Sequence, residues 1–493
     1  MTTTPEPAAP TAPPSTHSTE APGPHPERPG YRHRWVILYL VLAGEVVDLV
    51  DSTIVTIAAP TIRGELGGSP STMQWYLAAY TLAFAVALVT CARLGDILGR
   101  KTMFIAGMAG FTCMSLLCGV AVSPEMLIGC RVLQGLFGAV MIPQGLALIK
   151  AAFPPAEISK AFTAFGPVMG LSAVLGPILA GVLLDANLFG TGWRMIFLVN
   201  IPVGVLALLG AARYMPQLRP SDHAQRLDPV GVGLLTVASA MLIYPLVQGH
   251  ELGWPIWTFA LMACSLLVFA LFVLSERRSA DPVIEPSLFR NRAFTGGLVV
   301  ILTMFVAFTG FILVFNLFTQ LGLGFGPLHA GLTMVPWSVG IAIGAGLSGA
   351  WLGPAYGRQV LHAGFLVVAA GLVGVWLTLQ LCAGGVTAWD MVPALLVSGL
   401  GSGLIFAPMF DIILAGVGDR EVGSASGLLT AFQQYGGAIG VAVVGTIFFE
   451  LLPAHLFLGS MKAVSLIAAA LFCVSFCSAF LLPKHARQDP GTT

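Results

Sequence analysis

Long runs of apolar residues, separated by short polar segments, repeat along nearly the whole chain after residue 34. Each run is about 20 residues long, which at about 1.5 Å per residue lets one helix cross a hydrocarbon core about 30 Å thick. The strands of a membrane barrel would instead alternate polar and apolar residues. The pattern therefore predicts an all-α, polytopic membrane protein with 14 transmembrane helices, at 35–58, 73–92, 102–122, 125–149, 161–184, 194–214, 229–248, 255–275, 294–318, 329–350, 360–382, 391–414, 426–449 and 463–482.

Composition agrees with this class. The 493 residues are 56% hydrophobic and 9% charged, and the mean hydropathy is +0.87, which excludes a soluble globular domain. Lys plus Arg and Asp plus Glu are both 23, so net charge says nothing about partners, and we expect no nucleic-acid partner. The chain lacks a phosphate-binding Gly-rich loop and His/Cys spacing for a metal, so we expect no enzyme activity, no metal and no bound cofactor.

Basic residues predict the orientation. With the N-terminus inside, most Lys and Arg residues outside the spans fall on the inner side, and only Arg63, Arg194 and Lys462 fall on the outer side. This positive-inside bias predicts a multi-pass protein of the cell inner or plasma membrane with both termini in the cytoplasm. Residues 1–34 read as a disordered cytoplasmic tail without a cleaved signal peptide, and 483–493 as a second tail.

Three acids interrupt the first apolar run near its middle: Glu45, Asp48 and Asp51. A carboxylate at the bilayer centre costs about 2.5 to 3.5 kcal/mol, so such residues face a bundle interior or cavity and mark proton or substrate paths. Like charges at three-residue spacing cannot all ionise cheaply, so we expect them to titrate as a coupled group. Alternatively, some of them only form hydrogen bonds to neighbouring helices.

Arg131 lies well inside the fourth span and needs a partner. Counting about 1.5 Å per residue from the outer ends of the two helices places Arg131 and Asp51 at a similar depth. We therefore expect a pair that breaks when a proton reaches Asp51 and reforms when the proton leaves. A permanent structural ion pair is the alternative. Because Arg131 neutralises at most one of the three acids, the cavity should favour organic cations.

Two loops predict an internal repeat. Residues 93–101 after the second helix and 351–358 after the tenth both place Gly-Arg just inside the membrane. If they are equivalent, an N-terminal six-helix half at 35–214 and a C-terminal half at 294–482 flank an inserted helix pair with its cytoplasmic linkers at 215–293. Paired halves around a midplane site are the architecture of alternating-access carriers.

Several segments resemble the major facilitator superfamily, specifically its fourteen-helix drug:proton antiporter family. They are 51–60 in the first helix, 92–101 in the loop after the second, 131–135 in the fourth helix, 176–181 in the fifth and 193–202 at the start of the sixth. The resemblance covers nearly the whole folded chain and is specific for family but not for substrate. It implies that Asp51 is the proton or cation site. Glu45 and Asp48 lie outside the shared motif.

The resemblance also implies a gating loop, with Asp96, Gly99, Arg100 and Lys101, and an antiporter motif that limits proton leak, with Gly176, Pro177 and Gly181. A solvated turn and a simple proline kink are the respective alternatives. Two positions depart from the loop motif, since Ala92 stands where Gly is usual and Ile97 where a basic residue is usual. Residues 331–350 also lack the acid that some members have there.

Aromatic and amide side chains supply candidate substrate contacts, because aromatic faces can hold a planar cation. The candidates are Trp75, Tyr76, Tyr80, Gln134, Phe308, Phe315, Asn316 and Gln433. Helix packing or lipid contact is the alternative role of the aromatic positions.

Together these features predict a monomeric, proton-coupled antiporter that exports hydrophobic, cationic drugs or antibiotics from the cytoplasm by alternating access. The energy source would be the proton gradient, and the partners would be protons, small hydrophobic molecules and the lipid bilayer. A dedicated exporter of one endogenous product, such as a self-made antibiotic or siderophore, has the same fold and remains an alternative. A non-transporting membrane sensor is a further one, although the large soluble domain expected of a sensor is absent.

Overall fold

A computed structural model of the chain describes residues 31–154, 157, 175–217, 228–279, 286–382, 385–415, 417–418 and 422–483. All regular structure within these residues is helical, which confirms the prediction of an all-α membrane protein. Residues 1–30 of the predicted tail 1–34 and 484–493 of the predicted tail 483–493 lie outside the described residues. So do most of the fifth span and much of the linkers on both sides of the inserted pair.

Thirteen helices carry the fold among the described residues, and a short helix at Pro286–Arg290 precedes the ninth of them. They are α1 Arg34–Leu66, α2 Pro70–Leu98, α3 Arg100–Gly119, α4 Pro124–Ala152, α5 Leu175–Ala186, α6 Gly192–Tyr214, α7 Pro229–Leu252, α8 Ile256–Glu276, α9 Arg292–Gly322, α10 Pro327–Leu352, α11 Arg358–Leu381, α12 Ala388–Leu414 and α13 Val422–Ser478.

Eleven helices in the described residues are long and apolar enough to cross a membrane. α1 is of similar length but carries the three acids, and α5 is described only from Leu175. α13 has 57 residues, about twice the length of one span, and its backbone bends sharply at Leu456, where φ is 55°. These helices fit the 14 predicted. The break lies between the predicted spans 426–449 and 463–482, and the two helical segments meet at Leu456 without a longer loop.

The observed helices also extend beyond several predicted bounds. α1 continues to Leu66 and α2 runs from Pro70 to Leu98, about two turns longer in total than the predicted 73–92. Ser69 and Thr72 form a capping box at the start of α2, which satisfies backbone N–H groups in its first turn. Helical backbone therefore reaches past the apolar residues on which the predicted bounds were based.

Contacts between helices form two groups. In the first, α2 and α3 pack on α4, while α1 packs on α4 and α6. In the second, α9 and α11 pack on α13, while α10 and α11 pack on α12. Between the groups, α2 packs on α13. The amide of Gln74 on α2 donates to the carbonyl oxygen of Val441 on α13 at 3.1 Å.

The inserted helix pair lies against both groups. α7 packs on α8 and also contacts α2 and α13. On the α2 side, Trp75 Nε1 donates to Gln248 Oε1 at 3.3 Å. On the α13 side, Thr446 Oγ1 donates to the carbonyl oxygen of Leu246 at 2.7 Å, and His250 Nδ1 lies 2.9 Å from Glu450 Oε1. α7 therefore joins the two groups where α2 meets α13, and α8 lies outside it.

The two loops of the predicted repeat share a glycine turn and a basic cap, although the cap is Lys101 in one and Arg358, the counterpart of Arg100, in the other. Gly99 and Gly357 both adopt positive φ, at 96° and 52°, a conformation that glycine tolerates best. Lys101 then donates to the last carbonyl groups of α6 at 2.9 and 2.8 Å. Arg358 donates to carbonyl groups at the end of the last helical segment, after α13, at 2.8 and 2.6 Å. In each case a cation at the start of one helix caps the C-terminal end of another, where it also complements the helix dipole.

Candidate functional site

Asp51 and Arg131 form a buried ion pair between α1 and α4. Each side chain is only 1% exposed, and the guanidinium Nη1 donates to Asp51 Oδ2. The depth of each residue in its helix therefore matches a direct contact in the structure. A lone charge at this position would be costly, so each partner stabilises the ionised form of the other.

Hydrogen bonds complete the surroundings of the pair. Asp51 Oδ1 accepts from Gln134 Nε2 at 3.2 Å and from Asn200 Nδ2 at 3.0 Å. Arg131 Nη1 also donates to Gln134 Oε1 at 2.9 Å, and its Nε donates to the carbonyl oxygen of Tyr76 at 3.0 Å. Both carboxylate oxygens and two guanidinium nitrogens are therefore satisfied by protein groups.

Tyr80 on α2 connects this pair to the next acid. Its ring lies 4.2 Å from Arg131 Cζ, in a cation-π geometry, and its hydroxyl donates to Asp48 Oδ1. The approach of α2 to α4 depends on Gly135, because a Cβ at that position would collide with the carbonyl oxygen of Tyr80. A glycine in the fourth helix thus brings an aromatic side chain over the buried cation.

The three acids of α1 have different surroundings. Asp51 is buried with several donors, whereas Asp48 is half-buried and accepts from Tyr80. Glu45 is also half-buried, and in the described part of the chain its carboxylate accepts no hydrogen bond. The structure therefore places one acid in a closed polar cluster and leaves the other two, further towards the N-terminus of α1, partly accessible.

Two residues of the cluster were not among the predicted site residues: Ser115 on α3 and Asn200 on α6. Asn200 Nδ2 donates to Ser115 Oγ at 3.0 Å as well as to Asp51, and Ser115 Oγ donates to the carbonyl oxygen of Phe197 at 3.0 Å. We call Asp51, Arg131, Gln134, Asn200 and Ser115 the Asp51 cluster. The sequence signal that could have identified Asn200 is an amide side chain inside the apolar span 194–214.

The candidate substrate contacts on α2 and α4 lie in the protein interior. Tyr76, Tyr80 and Gln134 are at most 1% exposed, and Gln134 contacts both members of the buried pair. Trp75 is half-buried and directed towards α7 through its bond to Gln248. Contact between these four residues and a substrate stays a prediction.

The candidates in the second group of helices lie on α9 and α13. Phe315 and Asn316 are buried, and Asn316 donates to the backbone of its own helix. Phe308 is half-buried and packs against Trp337 and other rings, with centroids 5.5 Å apart for that pair. Gln433 is half-buried. Their role in substrate binding likewise stays a prediction.

The predicted gating loop lies at the junction of α2 and α3. Asp96 Oδ1 accepts from Arg100 Nη2 at 2.5 Å, and both side chains are about one-third exposed, at 38% and 32%. Gly99 allows the turn between these helices, and Lys101 caps α6. In this structure the described partner of Asp96 therefore belongs to the same loop.

The predicted antiporter motif packs α5 against α1 and α10. A Cβ on Gly176 would collide with the Thr53 hydroxyl on α1, and one on Gly181 would lie 2.6 Å from Leu328 Cα on α10. In return, a Cβ on Gly331 of α10 would collide with the carbonyl oxygen of Pro177. Such close backbone approach is possible because these positions lack side chains. α5 and α10 therefore touch at the ends predicted to face outside.

Metal binding finds no support in the described residues, where no three His, Cys, Asp or Glu side chains are grouped to hold an ion.

Comparison with known proteins agrees with this architecture. Residues 41–441 match the family model described as Major Facilitator Superfamily. The chain is 50% identical over 456 residues, 91% of its length and 78% of the relative, to a protein of Streptomyces coelicolor named "probable actinorhodin transporter". It is 35% identical to a puromycin resistance protein of Streptomyces alboniger, over 84% of this chain and 82% of that protein.

A solved structure has a similar fold. It is a POT family transporter in complex with 5-aminolevulinic acid, with a TM-score of 0.65 and 14% identity, covering 90% of this chain and 95% of that one. The likeness at this identity concerns the fold alone. With a buried ion pair inside a helical bundle, a family match over most of the chain and relatives at 50% and 35% identity, this chain belongs to the Major Facilitator Superfamily of membrane transporters.

Proposed function

We propose that this protein exports hydrophobic antibiotics or related drugs from the cytoplasm in exchange for protons. The observation that carries the proton-coupling part is the buried Asp51–Arg131 pair, because protonation of Asp51 removes its charge attraction to Arg131. The names of the relatives, an actinorhodin transporter and a puromycin resistance protein, support the antibiotic part.

The exchange uses a change in the Asp51 cluster. A proton that arrives from outside adds to Asp51 and weakens its contact with Arg131, so α1 and α4 can separate or shift. When the site faces the cytoplasm, the proton leaves and the pair reforms. One charge moved through about 100 mV supplies about 2.3 kcal/mol, which is enough to bias this cycle towards export.

The preferred charge of the substrate can be inferred from the two remaining acids of α1, Glu45 and Asp48. Glu45 and Asp48 are half-buried, and Arg131 is already paired with Asp51. A cationic substrate can therefore lower the cost of keeping these two carboxylates ionised. We propose that hydrophobic cations are preferred, and that cation and proton compete for this part of α1.

The setting of this cycle follows the sequence-based predictions. We propose a monomer in the cell inner or plasma membrane, with both termini in the cytoplasm. The matching caps made by Lys101 and Arg358 support the division into two six-helix halves around an inserted pair.

A dedicated exporter of one endogenous antibiotic is the second candidate function. It is favoured by the 50% identity to a relative named for a single compound, actinorhodin. The two functions share the same cycle and differ in the range of substrates.

The test is accumulation of a fluorescent organic cation in inverted membrane vesicles during respiration, before and after an electroneutral proton/potassium exchanger collapses the pH gradient. We expect accumulation that disappears on collapse. Accumulation that survives collapse would contradict proton exchange. Failure of a whole panel of cations, with export of actinorhodin itself retained, would favour the dedicated exporter and contradict the preference for cations.

A further inference from the structure

We infer that Asn200, oriented by Ser115, is a positioning residue that holds Asp51 in place while its ion pair with Arg131 opens. This inference rests on the proposed proton exchange and assigns a role to two residues outside the predicted site. It starts from the division of partners between the two oxygens of Asp51. Oδ2 accepts from Arg131, whereas Oδ1 accepts from Asn200 at 3.0 Å and from Gln134 at 3.2 Å.

The donors come from different helices. Arg131 and Gln134 both lie on α4, three residues apart, so a movement of α4 displaces them together. Asn200 lies on α6 and is joined to α3 through Ser115. Because α1 packs on α6 as well as on α4, Asp51 keeps one anchor that does not depend on α4.

Ser115 fixes the direction of the Asn200 amide. Its hydroxyl donates to the carbonyl oxygen of Phe197 on α6 at 3.0 Å, which leaves an oxygen lone pair for the Asn200 N–H at 3.0 Å. Both Ser115 and Asn200 are at most 3% exposed, so water does not compete for these bonds. The same Nδ2 then reaches Asp51.

Protonation of Asp51 affects its contact with Arg131 differently from its contact with Asn200. A proton that binds Oδ2 forms an O–H bond there, the guanidinium of Arg131 stays protonated, and the charge attraction between them is lost. Oδ1 then remains a carbonyl oxygen that still accepts an N–H. The neutral amide of Asn200 can therefore bind Asp51 in both protonation states, although a hydrogen bond to the ionised state is about twice as strong.

Other titratable groups surround Asp51 and bear on any pH dependence. In the described residues they are Arg131 on α4, Asp48 on α1, Tyr80 on α2 and Cys118 on α3. The contribution of α6 at this point is the neutral Asn200. A change at Asn200 thus alters the hydrogen bonding of Asp51 without adding or removing a charge.

The test measures the frequency of the infrared C=O band of protonated Asp51 in purified protein, with Asp51→Asn as the reference that identifies the band. Asn200→Leu keeps a similar volume but has no N–H. We expect it to raise the frequency of this band, because the carbonyl oxygen Oδ1 loses a hydrogen bond. Ser115→Ala should raise the frequency by less.

Thr112→Val is the matched control. Thr112 is buried on α3 one turn before Ser115, lies against Gly204 of α6, and donates only to the backbone of its own helix. This variant removes a hydroxyl from the same interface and should leave the frequency of the Asp51 band unchanged. Gradient-driven export by Asn200→Leu should fall about tenfold, while Thr112→Val retains the rate.

The outcomes separate this inference from the proposed function. An unchanged band frequency in Asn200→Leu, or in Ser115→Ala if the first variant does not fold, overturns the positioning role even where export is proton-coupled. A shifted band frequency without any pH-driven export by the unmodified protein contradicts the proposed function and leaves the positioning of Asp51 supported. An equal shift in Thr112→Val would also overturn the inference, because the effect would then belong to the interface in general.

Discussion

Among single residues, Asp51 combines burial with charge and lies at the centre of a five-residue cluster. Replacement by Asn keeps its shape and removes the exchangeable proton. We expect Asp51→Asn to insert in the membrane at normal levels and to lose uphill export, measured as pH-driven accumulation in inverted vesicles. Glu65→Gln is the control, since Glu65 lies on the same helix in a partly exposed pair with Arg194. Full uphill export by Asp51→Asn would refute the proposed role.

Arg131 gives a prediction about stability. Arg131→Ala leaves an unpaired carboxylate at a 1% exposed position, and breaking a buried pair in this way costs about 3 to 5 kcal/mol. Thermal unfolding in detergent should show the loss. A second variant that combines Arg131→Met with Asp51→Asn should recover much of the stability, because no buried charge remains, but not export. Equal stability of the single and double variants would contradict the cost assigned to the unpaired carboxylate.

The type of each residue explains which contacts of the Asp51 cluster could be predicted from the sequence. Asp51 and Arg131 are charges inside apolar runs, and a charge at membrane depth needs a partner, so their depths alone predicted the contact. Asn200 and Ser115 are neutral, and such residues occur in membrane helices without a dedicated role. Their place in the cluster depends on how α3 and α6 are rotated about their axes, which the sequence pattern does not determine. The same is true of Gln134, whose contact with Asp51 was not foreseen.

At the scale of helices, basic side chains cap the C-terminal ends of neighbouring helices. The contribution of these caps to the stability of the protein can be measured. Arg358 donates to two carbonyl groups at the end of the last helical segment, as Lys101 does to α6. We expect Arg358→Gln and Lys101→Gln each to lower stability by about 1 to 2 kcal/mol, since charged hydrogen bonds at a helix end are lost. Thermal unfolding of the two variants provides the measurement. If only one of the two variants lost stability, the two caps would not be equivalent.

The bend in α13 shows what apolar patterning leaves undetermined. Residues 450–462 include Glu450, Pro453, His455 and Lys462, a composition typical of a loop between two spans. The backbone nevertheless stays helical apart from Leu456, whose positive φ changes the direction of the chain. Length and polarity predict where a span ends, but they do not distinguish a loop from a sharp turn between helices.

The whole molecule must open and close at its outer end if export proceeds by alternating access. In this structure α5 and α10 touch there through Gly181 and Gly331. Gly331→Ala places a methyl group against the carbonyl oxygen of Pro177 and should hold the outer end apart. We expect faster labelling of cysteines introduced near the outer end by a membrane-impermeant thiol reagent, together with slower export.

Gly346→Ala on the same helix is the control for this prediction, because no atom lies within 4 Å of its added Cβ. It should label and transport like the unmodified protein. Unchanged labelling in Gly331→Ala would mean that the contact between α5 and α10 does not limit opening.

α7 covers one of the two junctions between the groups of helices, so the two faces of the protein differ for a compound dissolved in the bilayer. The two groups of helices meet along α2 and α13, where α7 covers the junction, and again at α5 and α10, which touch directly. At the first junction a lipid-soluble molecule meets the inserted pair before it meets the carrier. At the second junction, among the described residues, the contact between α5 and α10 is not covered by α7 or α8, so the two faces of the protein present different surfaces to the lipid.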